Sequence, residues 1–248
     1  MPCRIIALFM LVVSVAPAWA ADDVQVVNAL DGKGISGATV IYKYQGRKYE
    51  HTTGRDGYTE QINLPGVPVG ATVHYSITAQ GFAGIEDDCI REDNYNPCVQ
   101  GRPRNLSPVG DFRLRVTLAW GDSPRDLDAQ MWFGDRESGQ GKRVFWKSMV
   151  VDNVELDIDD TNGRGPETIT VNEMDSSRHM FLVHNYSDKD TSGNYNLSRS
   201  GAKVTLFAGD RMLRRFTVPV DQPGKVWHVF NIKGVEIGVV DRIVDPKD

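Results

Sequence analysis

The sequence predicts an all-β protein: two antiparallel β-sandwich domains in tandem, after a cleaved signal peptide. Three observations carry that reading. Apolar residues recur with a period of two along many short runs, and turn residues separate the runs. Beyond the N-terminus, no stretch has the periodicity of an amphipathic helix long enough to cross between parallel strands.

The first element is an export segment. Arg4 supplies a positive start, Ile5 to Val15 an apolar run, and Ala18-Trp19-Ala20 a small-x-small cleavage site, so residues 1–20 are expected to leave and Ala21 to become the first mature residue. The apolar run is shorter than a bilayer span and nothing later approaches that length, so no membrane span is expected. The expected location is exported, either periplasmic or extracellular. The chain carries a net charge of −5, and a mildly acidic surface argues against nucleic acid as a partner.

Residues 21–99 form the expected first sandwich. Val73, Tyr75, Ile77 and Ala79 alternate with His74, Ser76 and Thr78, while Asp31-Gly32, Asp56-Gly57 and Pro65-Gly66 supply turns. With Cys3 gone, Cys89 and Cys98 are the remaining pair, expected to form a disulfide in an oxidising compartment. So small a ring would contribute on the order of 2–3 kcal/mol. Residues 100–108 carry prolines and arginines without alternation, which suits a linker.

Residues 109–248 form the expected second sandwich. Leu114, Val116, Leu118 and Trp120 alternate with Arg113, Arg115, Thr117 and Ala119. Ala202, Val204 and Leu206, then Phe216, Val218 and Val220, continue the period of two around the Ala208-Gly209-Asp210 turn, and Pro223-Gly224 marks a further turn. Arg211, Arg214 and Arg215 read as a solvated, charged edge that discourages strand pairing.

Two resemblances follow from ordered motifs. Gly34-Ile35-Ser36-Gly37-Ala38-Thr39-Val40, Thr53-Gly54-Arg55-Asp56-Gly57-Tyr58, Leu64-Pro65 and Ala79-Gln80-Gly81-Phe82 give the first half the look of a carboxypeptidase regulatory-like domain. That resemblance implies a transthyretin-like β-sandwich, and its matching residues are turn and packing positions. The second half resembles a YfaP-like exported bacterial domain of unknown function. Its motifs are Leu118-Ala119-Trp120-Gly121, Pro124-Arg125-Asp126-Leu127-Asp128, Leu156-Asp157-Ile158-Asp159-Asp160-Thr161, Gly165-Pro166-Glu167-Thr168-Ile169, Val183-His184-Asn185-Tyr186-Ser187 and Val226-Trp227-His228-Val229-Phe230. It implies a fold and little chemistry.

The chemistry of the chain lies in its acids. Asp126-Leu127-Asp128 and Asp157-Ile158-Asp159-Asp160 each place two carboxylates on one face of a strand, with the aliphatic residue on the other. Such carboxylates repel unless a cation or arginines neutralise them. Asp126, Asp128, Asp157, Asp159, Asp160 and Glu167 are therefore candidate metal ligands, and hard oxygen donors beside a glycine-bearing loop suit Ca2+. The alternative is that Arg125, Arg143 and Arg164 pair with these acids, or that the aspartates cap turns.

Other candidates carry less. Asp188-Lys189-Asp190-Thr191-Ser192-Gly193 starts like an EF-hand loop, but Arg199 falls at its bidentate position and no helices flank it, so a hairpin tip is expected. His179 and His184 fall on opposite strand faces, unlike a helical zinc pair, and His184 and His228 suit hydrogen-bonded sandwich positions. No Gly-x-Ser-x-Gly motif is present. Trp132 and Phe145-Trp146 offer aromatics for a carbohydrate or protein surface, or cover a sheet face. The expected function is thus a non-catalytic binding or accessory module, with a hydrolase or enzyme subunit as the alternative.

Overall fold

A computed structural model describes residues 24–60, 62–91, 103–134 and 140–245. The chain is nearly all β, as the alternation predicts, with one four-residue α-helix, α1 (Asn196–Arg199), and one 3-10 turn (Tyr186–Asp188) among the described residues.

The first half contains β1 (Val26–Asn28), β2 (Thr39–Tyr44), β3 (Arg47–Thr52), β4 (Thr72–Thr78), β5 (Phe82–Ala83), β6 (Ile85–Ile90) and β7 (Arg104–Pro108). An antiparallel sheet of order β3-β2-β4-β6 faces a three-stranded sheet of order β1-β7-β5. The alternation in β4 works as expected: Val73, Tyr75 and Ile77 are buried with Val40 and Tyr42 of β2. Gly34 is required by a close approach, since a Cβ there would lie 2.0 Å from the carbonyl oxygen of Asp56.

The stretch expected to be a linker is, from Arg104 onward, a strand. β7 pairs parallel to β1 and antiparallel to β5, and Leu106 is fully buried. Its prolines sit at the ends, at Pro103 and Pro108, where no ladder donor is needed. Alternation is hidden because both faces of β7 are covered.

The second half contains β8 (Leu114–Ala119), β9 (Leu127–Phe133), β10 (Lys142–Val144), β11 (Val150–Val151), β12 (Val154–Ile158), β13 (Glu167–Val171), β14 (Arg178–Asn185), β15 (Lys203–Ala208), β16 (Arg211–Thr217), β17 (Val226–Lys233) and β18 (Glu236–Val244). A six-stranded sheet, β11-β12-β13-β8-β15-β16, packs on a five-stranded sheet, β10-β9-β14-β17-β18. Leu114, Val116, Leu118 and Trp120 lie in the core between them with Leu127, Ala129, Met131 and Phe133. Val218 is buried, but Val220 is 73% exposed because β16 ends at Thr217.

The middle of the outer face of the six-stranded sheet, along β13, β8 and β15, is covered by the first half. Arg115 donates from Nη1 to the Ser107 hydroxyl at 3.0 Å and the Pro108 carbonyl at 2.8 Å. The Thr168 hydroxyl donates to the carbonyl of Ala29, and Phe207 belongs to the hydrophobic core of the first half. Arg215, expected in a solvated edge, instead joins Lys203 on Asp87 and donates to the Thr205 hydroxyl. Arg211 and Arg214 are exposed as expected.

Cys89 lies on β6, opposite Val73. Cys98 and the expected signal peptide lie outside the described residues.

Candidate metal centre

β9 leaves the Ser123–Asp126 turn with Asp126 and Asp128 near one end of the second sandwich. β13 enters from the loop 159–166 with Glu167 as its first residue. Glu167 pairs with Leu118 and continues the inward face of Ile169 and Val171, so a carboxylate stands where the pattern calls for an apolar residue. It is fully buried.

The loop between β12 and β13 is braced from below. The Trp120 indole N–H donates to the Pro124 carbonyl at 2.8 Å, and backbone bonds tie Arg164 to Trp120 and Gly121. Gly165 has φ of +79°, and a Cβ on it would lie 2.9 Å from both the Leu118 carbonyl and the Trp120 ring. Only glycine permits the chain to pass so close on its way into Glu167.

One ligand oxygen each from Asp126, Asp128 and Glu167 lies within 4.8 Å of the other two. Two oxygens on opposite sides of a Ca2+ ion are separated by about 4.8 Å, so one ion of that size can reach all three. This buried Asp/Asp/Glu group could hold a metal ion.

The electrostatics of the group are those of carboxylates short of positive charge. Burial pushes Asp126 up to about 6, assisted by the charges of Asp128 and Asp159, with Asp160 adding to them and Arg125 opposing. Burial holds Glu167 well above the usual carboxylate range, against the Ala129 amide that donates to its Oε2. Asp159 and Asp160 are raised too, by burial first, with the charge of Asp128 acting on Asp159 and that of Asp159 on Asp160. Oδ1 of Asp126 and of Asp159 is buried and accepts no hydrogen bond. Acceptors left bare in this way are costly unless something positive meets them.

The arginines do not neutralise the cluster by contact. Arg164 pairs with Asp122 at 2.5 Å, Arg125 donates from Nε to the Thr161 carbonyl at 2.8 Å, and Arg143 packs on Trp132 and Phe145. The alternative in which arginines clamp the acids is thus not what the structure shows.

Of the six candidate ligands, Asp126, Asp128 and Glu167 converge, and Asp159 and Asp160 act on them electrostatically. Asp157 does not join them. A register shift between Leu156 and Ile158 separates it from Asp159, and it accepts from the Thr170 hydroxyl at 2.6 Å, on the side of the sheet that carries Arg115. Alternation cannot be extrapolated through such a bulge.

Sequence reasoning missed the partner of Asp128. His184 stands directly opposite it on β14, with Nδ1 3.4 Å from Oδ2. The shared strand alternation of the two residues was visible, but their pairing across strands was not. Asp188, in the EF-hand-like stretch, accepts from Asn185 and Asn196 in a closed turn of its own.

Fold and site together define an all-β protein with sandwich-like sheets and a buried three-carboxylate centre. No protein-family model matches the chain, and no curated protein matches it significantly. Among solved structures, the protein SAV2460, whose function is unknown, aligns over 55% of this chain and 94% of its own, with 16% identity and a TM-score of 0.40.

Proposed function

We propose that this chain is an exported, non-catalytic binding or accessory protein in which a calcium ion anchors the second sandwich. One observation carries the calcium reading: Asp126, Asp128 and Glu167 present oxygens within one ion's reach, in buried surroundings, without an arginine between them. Calcium suits this set because it accepts irregular shells of carboxylate and carbonyl oxygens, whereas magnesium demands a tight octahedron and dehydrates reluctantly. Asp159 and Asp160 are placed to add charge. The ion would tie β9 of one sheet to β13 of the other.

The test is thermal unfolding in calcium and in chelator. An ion that binds only the folded state at a concentration of about 100 times its Kd adds about 2.7 kcal/mol. For a domain of this size that is a rise of several degrees, with magnesium much less effective. Asp128→Ala should fold and lose the response. Superimposable melting curves in calcium and chelator would reject the centre.

An enzyme reading has the His184–Asp128 pair in its favour, because His184 lines a cleft. No serine, threonine or cysteine is among the described residues lining that cleft, so the pair has no hydroxyl or thiol to activate there.

A further inference from the structure

The outward face of the five-stranded sheet holds a cleft of about 390 Å³, within the range of small-molecule sites. Its composition follows from strand alternation. Gln130 and Trp132 on β9, Met180 and His184 on β14, and His228 on β17 share one face, and Arg143 on β10 stands opposite Trp132. The other sheet of this sandwich has the middle of its outer face covered by the first half of the chain.

Arg143 gives the cleft its charge. It is partly buried, with its guanidinium carbon 3.6 Å from the Phe145 ring centroid and 4.8 Å from that of Trp132. Among the described residues it forms no hydrogen bond and no ion pair; burial lowers its pKa, and the charge of Asp128 acts against that shift. A guanidinium carries five donors in a plane and matches a carboxylate in bidentate fashion. No aspartate or glutamate is among the described residues lining the cleft; Asp128 stands opposite His184 in the register, 3.4 Å from its Nδ1. Gln130, His184 and His228 add groups that can hydrogen-bond to hydroxyls, and Trp132 and Met180 add an apolar wall.

We propose that this cleft binds a uronic-acid-bearing saccharide, with the sugar carboxylate on Arg143, hydroxyls on Gln130, His184 and His228, and the apolar face of the ring against Trp132 and Met180. A guanidinium with no ion pair among the described residues favours an anion, and the mixture of amide, imidazole and indole favours a polyhydroxylated ring. The proposal deepens the binding-protein reading and rests on it, but it does not depend on calcium at Asp126.

The experiment is calorimetric titration of the full mature chain with oligosaccharides of glucuronate and of galacturonate, with their neutral counterparts, and with benzoate, each in calcium and in chelator. At least one uronate series should bind ten-fold or more tightly than its neutral counterpart and than benzoate, and the difference should shrink with added salt. Arg143→Gln should abolish that preference while leaving the melting temperature and its calcium response in place. Failure of both uronates to bind in either condition, equal binding of neutral sugar or benzoate, or an unaffected Arg143→Gln protein would overturn the proposal. Saccharide binding by a protein whose melting ignores calcium would sustain the cleft and reject the metal centre. Appearance of shortened products would sustain the cleft and reject the non-catalytic reading.

Discussion

Glu167 accepts the backbone N–H of Ala129, so a buried carboxylate in one sheet is bonded to the main chain of a strand in the other. The contact joins β13 to β9 at the end of the sandwich where Asp126 and Asp128 also lie. A charge in that position costs folding free energy unless it is matched, and two backbone amides, those of Ala129 and, at 3.4 Å, Asp160, are a weak match for a full negative charge.

Glu167→Gln separates charge from shape. The amide oxygen can still accept from Ala129, while the carboxylate repulsion with Asp128 and Asp159 disappears. In chelator this variant should melt higher than the parent, and calcium should no longer shift it. Glu167→Ala removes the acceptor as well and leaves a void, so it should melt lower than the parent by an amount equivalent to about 2–4 kcal/mol. Paired melts with and without calcium check both.

The pH dependence of the metal-free protein has a definite sign. Asp126 has a folded-state pKa of about 6, above the unfolded value of about 4, so its ionisation opposes folding. Its contribution is fully present below the unfolded value and is lost as pH rises through 6. Glu167, Asp159 and Asp160 are raised as well and act in the same direction. Calcium binds the ionised forms, so the calcium-induced rise in melting temperature should grow over the same interval. Melts at about pH 4.5, 6 and 7.5 would reveal both trends, and a flat metal-free profile would contradict them.

Asp87 behaves in the opposite way. Burial alone would raise its pKa, but the Lys203 ammonium and the Arg215 guanidinium overcome that and lower it. Its contribution is present above the unfolded carboxylate value and is lost as pH falls through the lower folded value. Asp87→Ala removes the shared acceptor of Lys203 and Arg215 and should cost about 1–3 kcal/mol. Denaturant titration at neutral pH checks the cost, and repetition near pH 3 should find the difference from the parent reduced.

The disulfide prediction concerns Cys89 and Cys98. Mass spectrometry of the unreduced mature protein should find the two joined, two mass units below the dithiol form. Replacing both by serine should lower the melting temperature by an amount equivalent to about 2–3 kcal/mol. Because the first half covers the six-stranded sheet, that loss should also appear in the unfolding of the second half, monitored through Trp120 and Trp227 fluorescence.

Local patterning determined a good deal of this protein. The alternation of Val73, Tyr75 and Ile77, or of Leu114, Val116 and Leu118, specifies a strand and its buried face, because side chains on a strand alternate whatever lies beyond it. The pairing of Asp126 with Asp128 was legible as chemistry, since strand spacing puts both carboxylates on one face, but the approach of Glu167 from the other sheet depended on which strands became neighbours. Tertiary structure decided the rest. Arg104 to Pro108 became a central strand, and Arg115 and Arg215 became interface residues, because the face they occupy is covered by a distant part of the chain. Asp157 left the acidic group because a bulge reset its register, and His184 joined Asp128 through cross-strand pairing. Strand order, bulges and the docking of one half on the other are long-range choices, made by burial and ladder bonding summed over the whole fold, and no run of neighbouring residues encodes them by itself.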